Sequence, residues 1–181
     1  MAAVCVYCAS SLTIDQGFIE LATEVGERIG RDGHRLISGG GRVSMMGAVA
    51  SAARRAGAHT LGVIPQHLMS YEVADTEADE LVVVETMRER KALMDAHAEV
   101  FLVLPGGIGT LEEFFEVWTA GSLGMHPKPV IVLDRDGFFE PLWQFLADLV
   151  RRGFVRQAAL DQLHRVGCID EAFAVIDGVR P

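Results

Sequence analysis

The segment Val100-Phe-Leu-Val-Leu-Pro-Gly-Gly-Ile-Gly-Thr-Leu-Glu-Glu113 joins a short apolar run to a glycine cluster and then to a helical pattern. Its first five residues, Val100 to Leu104, predict a strand that is buried on both faces, as in a parallel sheet. Glycine lets the backbone approach a ligand closely, and the free N–H groups at a helix start attract anions. The segment therefore indicates a strand–loop–helix unit whose loop is either an anion site or only a tight turn.

The same unit recurs along the whole chain. Strands are predicted at Ala3 to Tyr7, Arg35 to Ser38, His59 to Ile64, Leu81 to Glu85, Val100 to Leu104, Pro129 to Leu133 and His164 to Gly167. Helices are predicted at Ile14 to Arg31, Ser44 to Ala56, Thr86 to His97, Thr110 to Ala120, Phe139 to Arg152 and Asp170 to Ile176. No linker or repeat interrupts this alternation. It predicts a single α/β domain over residues 1–181, a three-layer α/β/α sandwich with a mainly parallel sheet.

Composition and charge exclude several classes of function. Acidic residues outnumber basic ones 25 to 16 among 181 residues, which argues against a groove for a nucleic-acid backbone. The longest apolar runs fall far short of the about 20 residues that cross a membrane. The N-terminus lacks the basic region of a signal peptide, and three cysteines are too few for a disulfide framework. We therefore expect a cytoplasmic protein that binds neither nucleic acid nor membrane.

Two glycine clusters each follow a predicted strand and precede a helix. The first contains Gly39, Gly40 and Gly41, and the second contains Gly106, Gly107 and Gly109. Neither fits the dinucleotide template G-x-G-x-x-G, and neither is followed by a Walker A lysine. Because both lie at the carboxyl ends of strands, where ligands bind in open parallel sheets, together they favour phosphate binding over two tight turns. Gly39, Gly40, Gly41 and Gly106 are the phosphate-loop candidates.

Two charged residues near the second cluster have alternative interpretations. Arg90 shares a helix face with Met87 and Met94, so it is either a surface residue with a buried stem or a cation in a pocket. Glu113, like Glu112, lies in the first turn of a helix, where acids complement the helix dipole. The predicted apolar stripe of that helix comprises Leu111, Phe114, Phe115 and Trp118. Glu113 points away from this stripe, and the pattern alone favours solvent exposure for both Glu113 and Arg90.

Other motifs give weaker signals. Cys5-Val-Tyr-Cys8 fits C-x-x-C, but it lies in or just after a strand rather than at a helix start. The histidines show no H-E-x-x-H or other metal-ligand spacing, and no G-x-S-x-G elbow indicates a serine hydrolase. We expect neither a metal nor a cofactor.

The segment Pro105-Gly-Gly-Ile-Gly-Thr-Leu-Glu-Glu113 resembles the P-G-G-x-G-T-x-x-E signature of the LOG ("lonely guy") family. These are cytokinin riboside 5′-monophosphate phosphoribohydrolases, often mislabelled lysine decarboxylases. Met87-Arg-Glu-Arg-Lys91 resembles the family's M-x-x-R-K, and the resemblance extends from Val4 to about Ile176. It implies a Rossmann-like fold, a homodimer, and hydrolysis of N6-modified adenosine 5′-monophosphates, with AMP as a further substrate. The products would be the free base and ribose 5-phosphate.

The resemblance also implies a set of site residues. Arg90 and Glu113 take the catalytic positions. The substrate-binding positions are Glu72, Met87, Arg90, Lys91, Gly107, Ile108, Gly109, Thr110, Leu111, Glu112, Glu113 and Thr119. The chain departs from many family members at Ala9, Ser44, Met45, Ala120 and Ser122. These departures leave base preference and dimer contacts open.

Two other functions compete with this reading. A non-catalytic nucleotide-binding or carrier protein could share the fold, but it would not need both Arg90 and Glu113. A lysine decarboxylase would need a Schiff-base lysine, and the chain has only Lys91 and Lys128. Lys91 is already assigned to substrate binding by the resemblance, so the hydrolase is favoured.

Overall fold

A computed structural model describes residues 1–69 and 73–179 of the chain. The strands in these ranges are β1 (Ala3–Tyr7), β2 (Arg35–Ser38), β3 (Thr60–Pro65), β4 (Glu80–Val84), β5 (Val100–Val103), β6 (Val130–Leu133) and β7 (Leu163–Val166). The α-helices are α1 (Gln16–Arg31), α2 (Ser44–Arg55), α3 (Met87–His97), α4 (Ile108–Ser122), α5 (Glu140–Arg151), α6 (Gln157–Leu160) and α7 (Ile169–Asp177). A 3₁₀ turn at Gln66–Leu68 follows β3.

The strands form one parallel sheet in the order β4-β3-β2-β1-β5-β6-β7. The strand order reverses between β1 and β5, so the loops that follow these two strands diverge and leave a crevice. Val4 is paired with Val100 and Tyr7 with Val103. The contact continues past the strand ends, because the Ala9 N–H donates to the Pro105 carbonyl at 3.2 Å. The crevice therefore opens just beyond Ala9 and Pro105.

Helices cover both faces of the sheet. On one face α1, α2 and α7 contribute buried side chains such as Val25, Val49 and Phe173. On the other face α3, α4 and α5 contribute larger ones, including Phe114 and Trp143. This arrangement confirms the predicted α/β/α sandwich with a parallel sheet.

The predicted elements differ from the observed ones mainly at their ends. Helix α4 begins at Ile108 rather than Thr110 and continues to Ser122, so the glycine loop itself opens the helix. Helix α6 was not predicted, because four residues are too few to show helical periodicity. Within the described ranges, no helix has both the length and the apolar character needed to cross a membrane.

Candidate active site

Arg90 is buried beneath the carboxyl edge of the sheet. A capping box fixes the start of α3: the Thr86 hydroxyl accepts from the Glu89 N–H, and the Glu89 carboxylate accepts from the Thr86 N–H. One turn into the helix, Arg90 is only 5% exposed. Its Nε donates to the Val63 carbonyl at 3.1 Å, and its Nη2 donates to the Gly39 carbonyl at 3.1 Å. The surface position favoured from sequence is therefore wrong, since the guanidinium of Arg90 donates to a carbonyl of β3 and to one in the loop directly after β2.

The first glycine cluster makes room for this arginine. Gly39, Gly40 and Gly41 are all buried. A Cβ on Gly39 would lie 1.7 Å from Nη2 of Arg90, far inside any allowed contact. Glycine is therefore required at residue 39 if the guanidinium is to reach the Gly39 carbonyl. The observed role of Gly39 is to hold Arg90, and phosphate binding by this cluster stays a prediction.

Glu113 faces Arg90 rather than solvent. The residue is 8% exposed, and its Oε1 lies 3.7 Å from Nη1 of Arg90. The solvent exposure favoured from the helical pattern is wrong. The most buried apolar side chains of α4 belong to Phe114, Val117 and Trp118, whereas Leu111 and Phe115 are only half-buried. The face opposite Leu111 meets Arg90 of α3 and a cavity rather than bulk water, and the periodicity of a single helix cannot reveal such a contact.

Arg90 and Glu113 line a cavity of about 250 Å³ at the switch point of the sheet. Its walls come from the loop after β1, from α2, α3 and the 3₁₀ turn, and from the start of α4. The lining residues are Cys8, Ala9, Ser10, Ser11, Met46, Leu68, Met87, Arg90, Gly107, Ile108, Gly109, Thr110, Glu112 and Glu113. The structure thus brings eight of the predicted site residues together: Met87, Arg90, Gly107, Ile108, Gly109, Thr110, Glu112 and Glu113.

The second glycine cluster presents backbone donors to this cavity. Leu111 N–H makes the first hydrogen bond of α4, to the Gly107 carbonyl at 3.0 Å. The N–H groups of residues 108–110 precede that bond and so have no partner within the helix. Ile108 and Gly109 are exposed, whereas Thr110 is buried, so the N–H groups of residues 108 and 109 and the positive end of the helix dipole are accessible to an anion. Gly106 allows the loop to fold tightly, because a Cβ there would lie 2.1 Å from Oγ1 of Thr110.

The remaining predicted residues lie elsewhere. Lys91 and Thr119 line a neighbouring cavity of about 860 Å³, with Glu112 between the two cavities. Lys91 Nζ forms ion pairs with Glu112 at 2.5 Å and with Glu116 at 2.8 Å. Leu111 packs against the apolar core. Glu72 lies outside the described residues.

Sequence reasoning missed one wall of the cavity. Residues 8–11, together with Met46 and Leu68, line it without having been named as site candidates. A usable signal was present, because residues 8–11 follow β1 and the carboxyl ends of neighbouring parallel strands meet at one edge. Burial raises the pKa of the Cys8 thiol, and the charge of Glu113 raises it further. Cys8 is therefore a neutral part of this wall rather than a thiolate nucleophile.

Among the described residues, one group has the composition of a metal site, formed by Asp32, His34 and Asp177. The His34 Nδ1 accepts from the Ala2 N–H at 3.0 Å, so Nε2 carries the proton and donates to Asp177 at 3.1 Å. Both ring nitrogens are thus used in hydrogen bonds that link the residue before β1 to the last residue of α7.

Comparison with known proteins gives a consistent set of relatives. A family model described as "possible lysine decarboxylase" matches residues 46–177. A cytokinin riboside 5′-monophosphate phosphoribohydrolase of Mycobacterium marinum is 50% identical over 169 residues, covering 93% of this chain and 90% of the relative. The Mycobacterium tuberculosis protein of the same name is 48% identical over the same shares. The rice protein with this name and the designation LOG is 42% identical over 86% of this chain and 64% of its own length.

Solved structures share the architecture at lower sequence identity. A molybdenum cofactor binding protein from Rippkaea orientalis has a TM-score of 0.75 and 20% identity, covering 98% of this chain and 96% of its own. A molybdenum cofactor carrier protein from Chlamydomonas reinhardtii has a TM-score of 0.74 and 20% identity, with the same coverage. At this identity, the likeness establishes the fold alone.

Proposed function

Because this chain belongs to the LOG family of cytokinin riboside 5′-monophosphate phosphoribohydrolases, we propose that it hydrolyses the N-glycosidic bond of N6-modified adenosine 5′-monophosphates. Water replaces the base at the anomeric carbon, and the products are the free base and ribose 5-phosphate. One observation carries the proposal: a buried Arg90–Glu113 pair lies in the same cavity as the exposed donors that open α4.

Glu113 supplies the negative charge that this reaction needs. As the bond to the base breaks, positive oxocarbenium charge develops on the ribose. A carboxylate held in a partly enclosed cavity stabilises that charge more strongly than it would in water. The same carboxylate orients the attacking water and accepts its proton, while the departing base gains a proton from solvent.

Arg90 acts by charge and position. A guanidinium stays protonated under all physiological conditions, so it is a poor proton donor. Two of its nitrogens bond to the carbonyls of Val63 and Gly39, which leaves Nη1 directed at Glu113. Arg90 therefore fixes the Glu113 carboxylate and adds positive potential for an anionic substrate.

The phosphate binds at the start of α4. Backbone N–H groups of residues 108 and 109 and the helix dipole provide an anion site without a lysine. Binding there anchors the nucleotide at a distance from the bond that breaks, so binding energy is available to orient the ribose against Glu113.

The lysines argue against a decarboxylase. A Schiff-base lysine needs a lowered pKa so that its amine is neutral. Burial lowers the pKa of Lys91, but hydrogen bonds from Nζ to Glu112 and Glu116 outweigh burial and raise it. Lys128 forms an ion pair with Asp95. The raised pKa of Lys91 is the opposite of what a Schiff-base lysine needs, and Lys128 Nζ is engaged by Asp95.

We also propose that the chain is a single domain over residues 1–181 and acts as a cytoplasmic homodimer. Leu123 and Met125, which are 71% and 74% exposed, line the larger cavity beside Lys91 and Thr119. A partner subunit that covers these side chains would remove their apolar surface from water. Light scattering tests this assembly, and a monomer at micromolar concentration would refute it.

The proposed activity is tested with three substrates: isopentenyladenosine 5′-monophosphate, AMP and the unphosphorylated isopentenyladenosine. Release of free base is measured by chromatography. We expect hydrolysis of the modified monophosphate and at least about a 100-fold lower kcat/KM for the riboside, because the anchor at α4 is lost. No release of base from any monophosphate would refute the function. Equal rates for riboside and monophosphate would refute the phosphate anchor. The rate with AMP, compared with the rate with the modified monophosphate, shows which base is preferred.

A further inference from the structure

The loop of residues 8–13 after β1 forms the cavity wall contributed by that strand. Cys8 and Ala9 are buried, whereas Ser10 and Ser11 are exposed. The Ala9 N–H bonds to the Pro105 carbonyl, which fixes the first half of the loop against the strand end of β5. The second half needs another attachment if this wall is to keep its position.

Ser44 provides that attachment. It is the first residue of α2, and its Oγ donates to the carbonyl of Ser11 at 2.5 Å. Met46, two residues further on, lines the same cavity as Ser11. The hydrogen bond therefore joins two walls of the cavity whose bonded residues are 33 positions apart in the sequence.

The backbone of Ser44 is in a conformation that serine rarely adopts. Its φ is +53°, in the left-handed region where a Cβ is unfavourable. The turn before α2 is tight, because a Cβ on Gly47 would lie 2.0 Å from the Arg42 carbonyl oxygen. A glycine at residue 44 would adopt this φ without strain, but it could not donate to Ser11.

We propose that Ser44 is a positioning residue, whose hydroxyl holds the 8–13 loop against α2 and thereby sets the cavity wall that the substrate contacts. Ser44 does not line the cavity itself and acts through Ser11. The structural part of this proposal stands independently, and only its kinetic consequence rests on the proposed hydrolase function.

Three substitutions separate the hydroxyl from the backbone strain. Ser44→Ala removes the hydroxyl and keeps the strain, whereas Ser44→Gly removes both. Ser44→Asn restores a donor in a residue that tolerates positive φ. If the hydroxyl holds the loop, the alanine and glycine variants both lose the attachment of the 8–13 loop. Their melting temperatures nevertheless differ, because only the glycine variant is relieved of the backbone strain.

The first measurement is hydrogen–deuterium exchange of residues 9–13 in the ligand-free protein. We expect exchange to be about fivefold faster in Ser44→Ala and Ser44→Gly, because one hydrogen bond that closes the loop is lost. Ser44→Asn should recover part of the protection. Wild-type exchange in Ser44→Ala would overturn the proposal, and this readout does not require any catalytic activity.

The second measurement is steady-state hydrolysis of the modified monophosphate. We expect KM to rise about three- to tenfold in the alanine and glycine variants, with kcat within about twofold of wild type, because binding rather than chemistry is disturbed. If Ser44 affected only stability, KM would change in parallel with the melting temperature, and Ser44→Gly would have a KM near that of wild type. That result would overturn the proposal. If the wild type hydrolyses nothing, calorimetric affinity for AMP replaces KM. The proposed function then fails, while the role of Ser44 is still decided.

Discussion

Replacing Gly39 by alanine should inactivate the site by displacing Arg90. The new Cβ would lie 1.7 Å from Nη2 and 2.8 Å from Cζ of Arg90. Because nonbonded heavy atoms settle about 3.5 Å or more apart, the guanidinium must retreat by roughly 1.8 Å. That shift breaks the bonds to the carbonyls of Gly39 and Val63, both 3.1 Å long, and withdraws Nη1 from Glu113.

The size of the effect follows from that displacement. An error of about 1 Å in the position of a catalytic group can cost about 100-fold in rate, so we expect kcat to fall by at least about 100-fold. Stability should fall less, by about 1–3 kcal/mol, because the mobile end of Arg90 can move into the cavity and regain water. For a chain of this length, that corresponds to a fall in Tm of about 2–12 °C.

The assay compares Gly39→Ala with Gly17→Ala, the matched control. A Cβ on Gly17, in the first turn of α1, has nothing within 4 Å. Hydrolysis is measured at a temperature well below both melting transitions, and circular dichroism confirms that both variants are folded. The control should keep its activity and gain up to about 1 kcal/mol of stability. A folded Gly39→Ala with near-normal kcat would refute the assigned role of Arg90.

Three further changes test other parts of the site and fold. Glu113→Gln keeps the shape and removes the charge, so turnover should be abolished while calorimetry still detects nucleotide; near-normal turnover would contradict its role. A Cβ on Gly109 has no atom within 4 Å, so Gly109→Ala should leave Tm unchanged. The same Cβ would lie near the proposed phosphate, so KM for monophosphates should rise about tenfold while KM for the riboside stays the same. The backbone N–H of Thr60 is the main cause that lowers the pKa of Asp79, so its ionised form stabilises the fold. Asp79→Asn should therefore lower the urea midpoint at pH 7, and the difference from wild type should shrink as pH falls below 3.8, the carboxyl's ordinary pKa.

The strand–helix alternation was predictable because each element carries its own pattern of apolar residues. Continuous runs such as Val100 to Val103 identify strands buried on both faces, and Gly106 and Gly107 identify the loop that follows. The resemblance also assigned Arg90 and Glu113 to one site, and the two side chains lie in one cavity. Their catalytic roles stay a prediction.

The orientation of that pair was not predictable from the residues alone. A helical pattern shows which face is apolar, but it cannot say whether the opposite face meets water or a cavity. The pattern predicts solvent exposure for Glu113 for this reason. It predicts exposure for Arg90 because the carbonyls that accept its hydrogen bonds, those of Val63 and Gly39, are distant in sequence. The same limit applies to Lys91, which is next to Arg90 in the chain but lines another cavity. The side chains of adjacent helical residues point in directions about 100° apart around the helix axis. Only the elements packed against the helix determine which cavity each side chain lines.

The two helical layers contribute differently to the crevice between β1 and β5. Arg90 and Glu113 both come from helices on one face of the sheet, whereas Ser44 and Met46 come from α2 on the other face. Substitutions in α2 therefore change the cavity wall that Met46 forms rather than the helices that carry the charged pair. Under the proposed function, a change in α2 would alter the cavity wall on one face of the sheet, while the charged pair and the phosphate site at the start of α4 keep their places on the other face.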